Sequence, residues 1–294
     1  MQLIDKICST VDKTVKFIFQ LDCGLITEVA YINKDDGKDI LCVSCQTACK
    51  LACKFCFTTD ALGKIRTRSL TGEEIVSVVS SAYDLLELAK NERMLLISYM
   101  GCGEPLCNTS GILSSMRNLR DKYKQIRFAI ATLIPHYLWT DFFRLVQEVQ
   151  IYKFNLKLHL SLHFTNDEVR QEWMPAALPI GPAVAMLEFY RKLTGNSVEV
   201  HYALIDGVND HMCDADALAK LLGNRDIPVK LLQYNEREVV PEKHSEPDAV
   251  QRFMDNLERQ GIKTEYYVPP GKDCGASCGA FLLDYYLKYN GVKG

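Results

Sequence analysis

Apolar residues in the first forty-odd positions fall in short β-favouring runs, Val15–Leu21, Glu28–Ile32 and Ile40–Val43. Turn signals separate them at Cys23-Gly24 and Asp35-Asp36-Gly37. Beyond Cys56 the pattern changes to alternating helices and apolar strands. Thr71-Gly72-Glu73-Glu74 marks a helix start, and the periodicity carries that helix to about Lys90. An apolar strand, Met94–Met100, follows and ends at a glycine-rich turn. Further strands are expected at Arg127–Thr132, Leu156–His163, Val198–Ile205 and Val229–Tyr234, with helical stretches between them. Repeated βα units imply an α/β fold with a parallel sheet, open or closed into a barrel. The charged, proline-bearing stretch Glu236–Pro247 reads as a long loop, and no internal repeat is visible.

One strand says more than the others. In residues 155–163 the leucines alternate with Lys157, His159, Ser161 and His163. A half-exposed antiparallel strand gives the same alternation. In a βα barrel the leucines would face the outer helices and the polar set would line the interior, bordering a ligand site.

Composition narrows the classes. The 294 residues suit one large domain or two small ones. With 34 basic and 37 acidic residues the formal charge is −3, which excludes binding nucleic acid by bulk charge alone but leaves room for a local basic groove. The first residues mix Asp5, Lys6, Asp12 and Lys13 with no apolar leader, and no apolar run is long enough to span a bilayer. The expectation is a cytoplasmic protein without membrane contact. Twelve cysteines in such a chain point to metal ligands or catalysts rather than staples. Cys8, Cys23, Cys107 and Cys213 read as scattered buried thiols; the tight groups at 42–56 and 274–278 do not.

The strongest chemical signal is Cys49-x-x-x-Cys53-x-x-Cys56, with Phe55 before the last cysteine. Three thiolates on a short loop bind three irons of a [4Fe–4S] cubane and leave the fourth iron open. The open iron suits the amino and carboxylate groups of S-adenosylmethionine. A zinc site normally takes a fourth protein ligand, and no histidine follows at the usual spacing. The second signal is Gly101-Cys102-Gly103-Glu104-Pro105 directly after the Met94–Met100 strand. Its glycines let backbone approach a ligand, and Glu104 accepts hydrogen bonds from an ammonium group.

With these motifs the chain resembles the RlmN/Cfr group of radical-SAM RNA adenine methyltransferases. The likeness is carried by residues 41–46 (LCVSCQ), 100–106 (MGCGEPL), 160–163 (LSLH) with 166–170 (NDEVR), 198–200 with 204–210 (LIDGVND), and 275–279 (GASCG). It runs in order from about residue 25 to about residue 280.

The resemblance implies a partial (β/α)6 radical-SAM TIM-type barrel over residues 41–268, with a β extension at 1–40 and a C-terminal segment at 269–294. It implies that Cys49, Cys53 and Cys56 hold the cluster. Gly103, Glu104, Ser161, His163 and Asn235 fall on S-adenosylmethionine contacts. Cys278 matches the cysteine that is itself methylated, Cys42 the second catalytic cysteine, and Glu28 the proposed base. An sp² adenine carbon is no nucleophile, so the family methylates a thiol first. It then activates that methyl as a radical, and resolves the covalent adduct by a disulfide while a base removes the ring proton.

Two readings of the outlying cysteines stay open. Cys42 and Cys278 are the methylating pair, or they join Cys45 and Cys274 around an auxiliary Fe–S cluster. His159 and His201 read equally as core or as pocket lining, and Lys157 as an electrostatic element of the pocket. Departures from the family bear on substrate. The family has a helical RNA-binding domain ahead of the barrel, whereas this sequence opens almost directly at the β extension. The family's Ser-Thr-Ser-Gly segment is Ala131-Thr132-Leu133-Ile134 here, with one expected cofactor hydroxyl gone. The stretch Tyr267–Lys272 lacks the family's arginine-bearing phosphate contacts. RNA is the family's acceptor; a nucleotide, small metabolite or peptide is the alternative, and a non-enzymatic Fe–S sensor is the rival class. A flavodoxin- or ferredoxin-type reductant and a monomeric state are expected.

Overall fold

A computed structural model describes residues 1–34, 37–90, 92–237, 239–276 and 283–291. The strands are β1 (Gln2–Cys8), β2 (Val15–Gln20), β3 (Ile26–Lys34), β4 (Lys38–Val43), β5 (Met94–Tyr99), β6 (Ile126–Thr132), β7 (Leu156–Ser161), β8 (Val198–Leu204), β9 (Val229–Gln233) and β10 (Thr264–Tyr267). The α-helices are α1 (Gly72–Leu85), α2 (Thr109–Lys122), α3 (Trp139–Tyr152), α4 (Asp167–Trp173), α5 (Ile180–Thr194), α6 (Met212–Leu222), α7 (Pro247–Arg259) and α8 (Leu283–Asn290).

The ten strands form one sheet in chain order. β1 to β4 pair antiparallel, and every pair from β4 to β10 is parallel. Helices follow β4 and each later strand up to β9, giving the six expected βα units of a partial barrel. β10 is a seventh parallel strand that the sequence did not reveal, because four residues are too few to show a period. β1 escaped notice for a different reason. It is an edge strand carrying Asp5 and Lys6, largely exposed, with no buried face to impose alternation.

Leu156, Leu158 and Leu160 of β7, and Leu162 beyond it, are fully buried in the main core. Val146 and Val149 of α3 and Leu187 and Tyr190 of α5 belong to the same cluster. The barrel orientation of that alternation therefore holds. Two boundaries differ from expectation. α1 has the capping box that its Thr71 and Glu74 imply, but it ends at Leu85, and a positive φ at Glu87 breaks it before a short 3-10 turn at Leu88–Lys90. β7 stops at Ser161, and His163 sits in a left-handed turn at φ 59°. Among the described residues no helix is long and apolar enough to cross a membrane.

Candidate active site at the carboxyl end of the barrel

A cavity of about 240 Å³ opens where the parallel strands end. Cys49, Cys53 and Cys56 line it from the loop after β4. That loop is held from several sides. The Cys56 amide donates to the Cys53 carbonyl (3.0 Å), and the Lys54 amide to the Trp173 carbonyl (2.8 Å). The Thr59 hydroxyl donates to the Cys53 carbonyl (2.6 Å). Arg237 donates to the Cys56 carbonyl (3.3 Å) and pairs with Asp60 (2.8 Å). Arg237 lies in a segment read only as a loop, so its clamp on the cysteine loop had no signal in the sequence.

The thiols fit a cluster better than a single ion. Burial, with the neighbouring Cys56, pushes Cys49 up to about 12, and burial with Cys56 and Cys49 lifts Cys53 well above the usual thiol range. Among the described residues the three sulfurs do not all come within 4.8 Å of one another. A tetrahedral zinc with 2.3 Å bonds would need them about 3.8 Å apart. Cys42, Cys45 and Cys274 likewise form no such group. Cys45 is buried in the main core and Cys274 bonds the Gly271 carbonyl. Cys8, Cys23 and Cys213 are exposed and Cys107 is half-buried, against the expectation of scattered buried thiols.

Next to the cysteines, Gly103 stands at φ 109°, where a Cβ would meet Gln46 Cγ at 2.7 Å and Cys45 Sγ at 2.8 Å. The position takes only glycine. Its neighbour Glu104 is buried, and burial raises its carboxyl to about 7. The opposing contacts are the Thr132 hydroxyl (2.5 Å), the Leu106 amide (3.1 Å) and the Leu133 amide (3.3 Å), all neutral donors. Thr132 and Leu133 belong to the segment where the sequence showed a missing hydroxyl. The remaining threonine orients Glu104.

Ser161 and His163 line the same cavity at the end of β7, and Asn235 just after β9. Burial lowers His163 to about 3, so the ring is neutral. Its Nδ1 accepts from the Ala203 amide (3.0 Å), which leaves the proton on Nε2 as a donor. The left-handed turn is held by Asn209, whose amide donates to the His163 carbonyl (2.7 Å). Buried Arg170 binds the Leu162 (3.0 Å) and Ser161 (3.1 Å) carbonyls.

Glu28 and Cys42 complete the lining from β3 and β4. Glu28, Ala30 and Ile32 alternate on the inner face of β3, and Ala30 is the cross-strand partner of Cys42. Burial raises the Glu28 carboxyl, opposed by Lys16 2.7 Å away. Lys16 of β2 is only 1% exposed and also donates to the Gly275 carbonyl (2.5 Å). It thus ties the base candidate to the loop that leads to Cys278. A lone lysine inside a β run gave no hint of this. Cys278 itself lies outside the described residues; Ala276, two positions earlier, lines the cavity.

No protein-family model matches the chain. Curated relatives do. The chain is 32% identical over 283 residues to a probable dual-specificity RNA methyltransferase RlmN of Thermosipho melanesiensis, covering 95% of this chain and 79% of the relative. It is 33% identical over 276 residues to the RlmN of Thermus thermophilus, covering 92% and 75%. Among solved structures, a radical SAM methyltransferase from Sphaerobacter thermophilus superposes with a TM-score of 0.84 at 29% identity, covering 95% of this chain and 80% of that one. SuiB of Streptococcus suis, at 14% identity and a TM-score of 0.54 over 78% of this chain and 50% of its own, shares the fold. On this likeness in sequence and fold, the chain belongs to the RlmN family of radical S-adenosylmethionine methyltransferases, whose cofactors are a [4Fe–4S] cluster and S-adenosylmethionine.

Proposed function

We propose that this enzyme methylates an sp² carbon, C2 or C8 of an adenine in RNA, through an S-methylcysteine at Cys278, using two S-adenosylmethionine molecules per turnover. The carrying observation is that the candidate cluster ligands, the cofactor contacts, Cys42 and Glu28 all line one cavity. They come from separate positions along the chain, and no packing requirement would gather them there.

In this reading Cys49, Cys53 and Cys56 hold the cluster, and Glu104 accepts from the ammonium of S-adenosylmethionine. Gly103 packs against Gln46 and Cys45 where no side chain would fit, which brings its backbone to the cofactor cavity. The Nε2–H of His163, with Ser161 and Asn235, completes the hydrogen bonds around it. When bound, the cluster and S-adenosylmethionine supply the electron and the 5′-deoxyadenosyl radical that takes a hydrogen atom from the methyl on Cys278. The resulting methylene bonds the ring carbon. Cys42 thiolate then attacks the Cys278 sulfur. Before that attack the adduct returns one electron to the cluster and loses the ring proton to Glu28. The attack breaks the sulfur–methylene bond as the disulfide forms, and a proton from solvent completes the methyl group. Lys16, 2.7 Å away, favours the ionised carboxylate of Glu28 against the burial that raises it. A flavodoxin- or ferredoxin-type protein supplies electrons.

The test uses Cys42→Ala holoenzyme with labelled S-adenosylmethionine and cell RNA. Without the resolving thiol the enzyme should accumulate a covalent protein–RNA adduct that ribonuclease trims. A free methylated product from this variant would overturn the role of Cys42. Label that enters cell extract equally with and without ribonuclease would move the acceptor from RNA to a small molecule or peptide.

A further inference from the structure

The opposite end of the barrel holds a second polar group that methyl transfer leaves unused. Lys157, Glu199 and Lys230 are the second residues of β7, β8 and β9, and His159 and His201 follow two positions on, at mid-strand. His159 is in register with Glu199, and His201 with Lys230. Glu199 is the centre. Its Oε2 lies 2.5 Å from Lys157 Nζ; its Oε1 lies 3.2 Å from His159 Nδ1, 3.4 Å from His201 Nε2 and 3.3 Å from Lys230 Nζ. His159, Glu199 and His201 are each more than nine-tenths buried. Their facing atoms nevertheless lack aligned hydrogen-bond partners.

A cavity of about 280 Å³ lies against this group. Four cationic side chains line it, Lys38, Arg127, Lys157 and Lys230, and no carboxylate does among the described residues. Glu199 sits behind two of them and Glu265 lies 3.5 Å from Lys230 Nζ, so these two carboxylates stand behind the cavity wall and the cations face the space. Cys42, Met100, His201 and Tyr267 line both this cavity and the reaction cavity, so the two are neighbours within one barrel.

Two ligands suit buried histidines beside a carboxylate. The 3.2 and 3.4 Å separations match neighbouring ligands on one metal ion, which at bonds of 2.0–2.1 Å stand about 3 Å apart. Charge decides against it. Both ammonium groups already contact Glu199, and a divalent cation would sit against them. An anion meets the opposite field. Cations projecting from separate strands suit a phosphate, which accepts from several sides, better than a carboxylate, which one bidentate partner satisfies.

We propose that the amino-terminal mouth of the barrel is a phosphate site, and that Lys230, Lys157, Arg127 and Lys38 hold a phosphate of the acceptor whose base lies beside Cys42. This rests on the reading that the acceptor occupies the cavity at Cys42. The phosphate belongs either to a free nucleotide or to an RNA chain, and the test separates the two.

The experiment is isothermal calorimetry on anaerobic holoenzyme with adenosine, adenosine monophosphate and a short single-stranded oligoribonucleotide. The variant is Lys230→Gln, which leaves Lys157 on Glu199 and keeps that carboxylate paired. The expected result is that adenosine monophosphate binds roughly tenfold more tightly than adenosine, and that Lys230→Gln removes most of that gain. The same loss seen with the oligoribonucleotide alone supports the site with an RNA phosphate as its occupant. The proposal is overturned if none of the three binds, or if Lys230→Gln changes the affinity of neither phosphate ligand. Stoichiometric zinc uptake that His159→Ala abolishes also overturns it. Binding is read without turnover, so a failure of methylation at Cys278 appears separately.

Discussion

Each end of the barrel buries a glutamate, and the two carboxylates meet opposite surroundings. At the carboxyl end Glu104 is held by a hydroxyl and two amides, and burial raises it to about 7. At the amino end burial would raise Glu199 too, but the facing imidazoles of His159 and His201 and the charge of Lys230 outweigh it and hold the carboxyl far below its usual range. Glu104 has acceptor capacity and no cation, which suits an ammonium ligand. Glu199 has more cations than it needs, which suits an anion. The same residue type therefore marks a cation-receiving end and an anion-receiving end, and the sheet sets which is which through the side chains its neighbouring strands point inward.

The largest expected effect is at the upper end. Cys53→Ala should reduce iron from about four per chain to background and abolish 5′-deoxyadenosine formation, because two thiolates cannot retain a cubane. Iron assay and chromatography check it, and retained cluster chemistry would remove the basis for the comparison. Next comes the buried pair. Lys16→Met strands Glu28 without its partner and should cost about 3–5 kcal/mol in denaturant unfolding, with much of this regained in Lys16→Met/Glu28→Gln.

Glu104→Gln removes a charge-assisted acceptor and should weaken S-adenosylmethionine binding by about 1.5–3 kcal/mol, measured by equilibrium dialysis. The pH dependence has a definite sign. Binding needs the ionised carboxyl, so wild-type affinity should fall as pH drops below about 7, while Glu104→Gln should be flat through that range. The smallest effect is at the lower end. Lys230→Gln should change stability by no more than about 1 kcal/mol in the same unfolding assay, because Lys157 and both imidazoles still face Glu199. A much larger loss would mean that the lower group is a structural ion-pair network.

The upper end was largely legible in the sequence, because its chemistry lies in local motifs. The cysteine triplet, the Gly-Cys-Gly-Glu-Pro turn and the polar alternation before His163 each declare themselves within a few residues. The strand pattern was equally local for β2 to β9. What escaped depends on pairing between distant segments. Lys16 gains its meaning only when β2 lies beside β3, and Arg237 only when its loop folds under Cys56. Glu199 becomes a centre only when β8 sits between β7 and β9. Reading Lys157 and His159 together with Glu199 and His201, as two polar faces of successive parallel strands, would have brought that group forward. His163 shows the limit of periodicity: the alternation placed it on the right face, but a left-handed turn after the strand brings it there.

The central claim is that the enzyme carries the transferred methyl on Cys278 before any substrate is present. Mass spectrometry of the peptide containing Cys278, from anaerobic holoenzyme incubated with S-adenosylmethionine alone, tests it most directly. The account predicts one methyl group on that cysteine. An unmodified Cys278 in protein with its full complement of iron would contradict it.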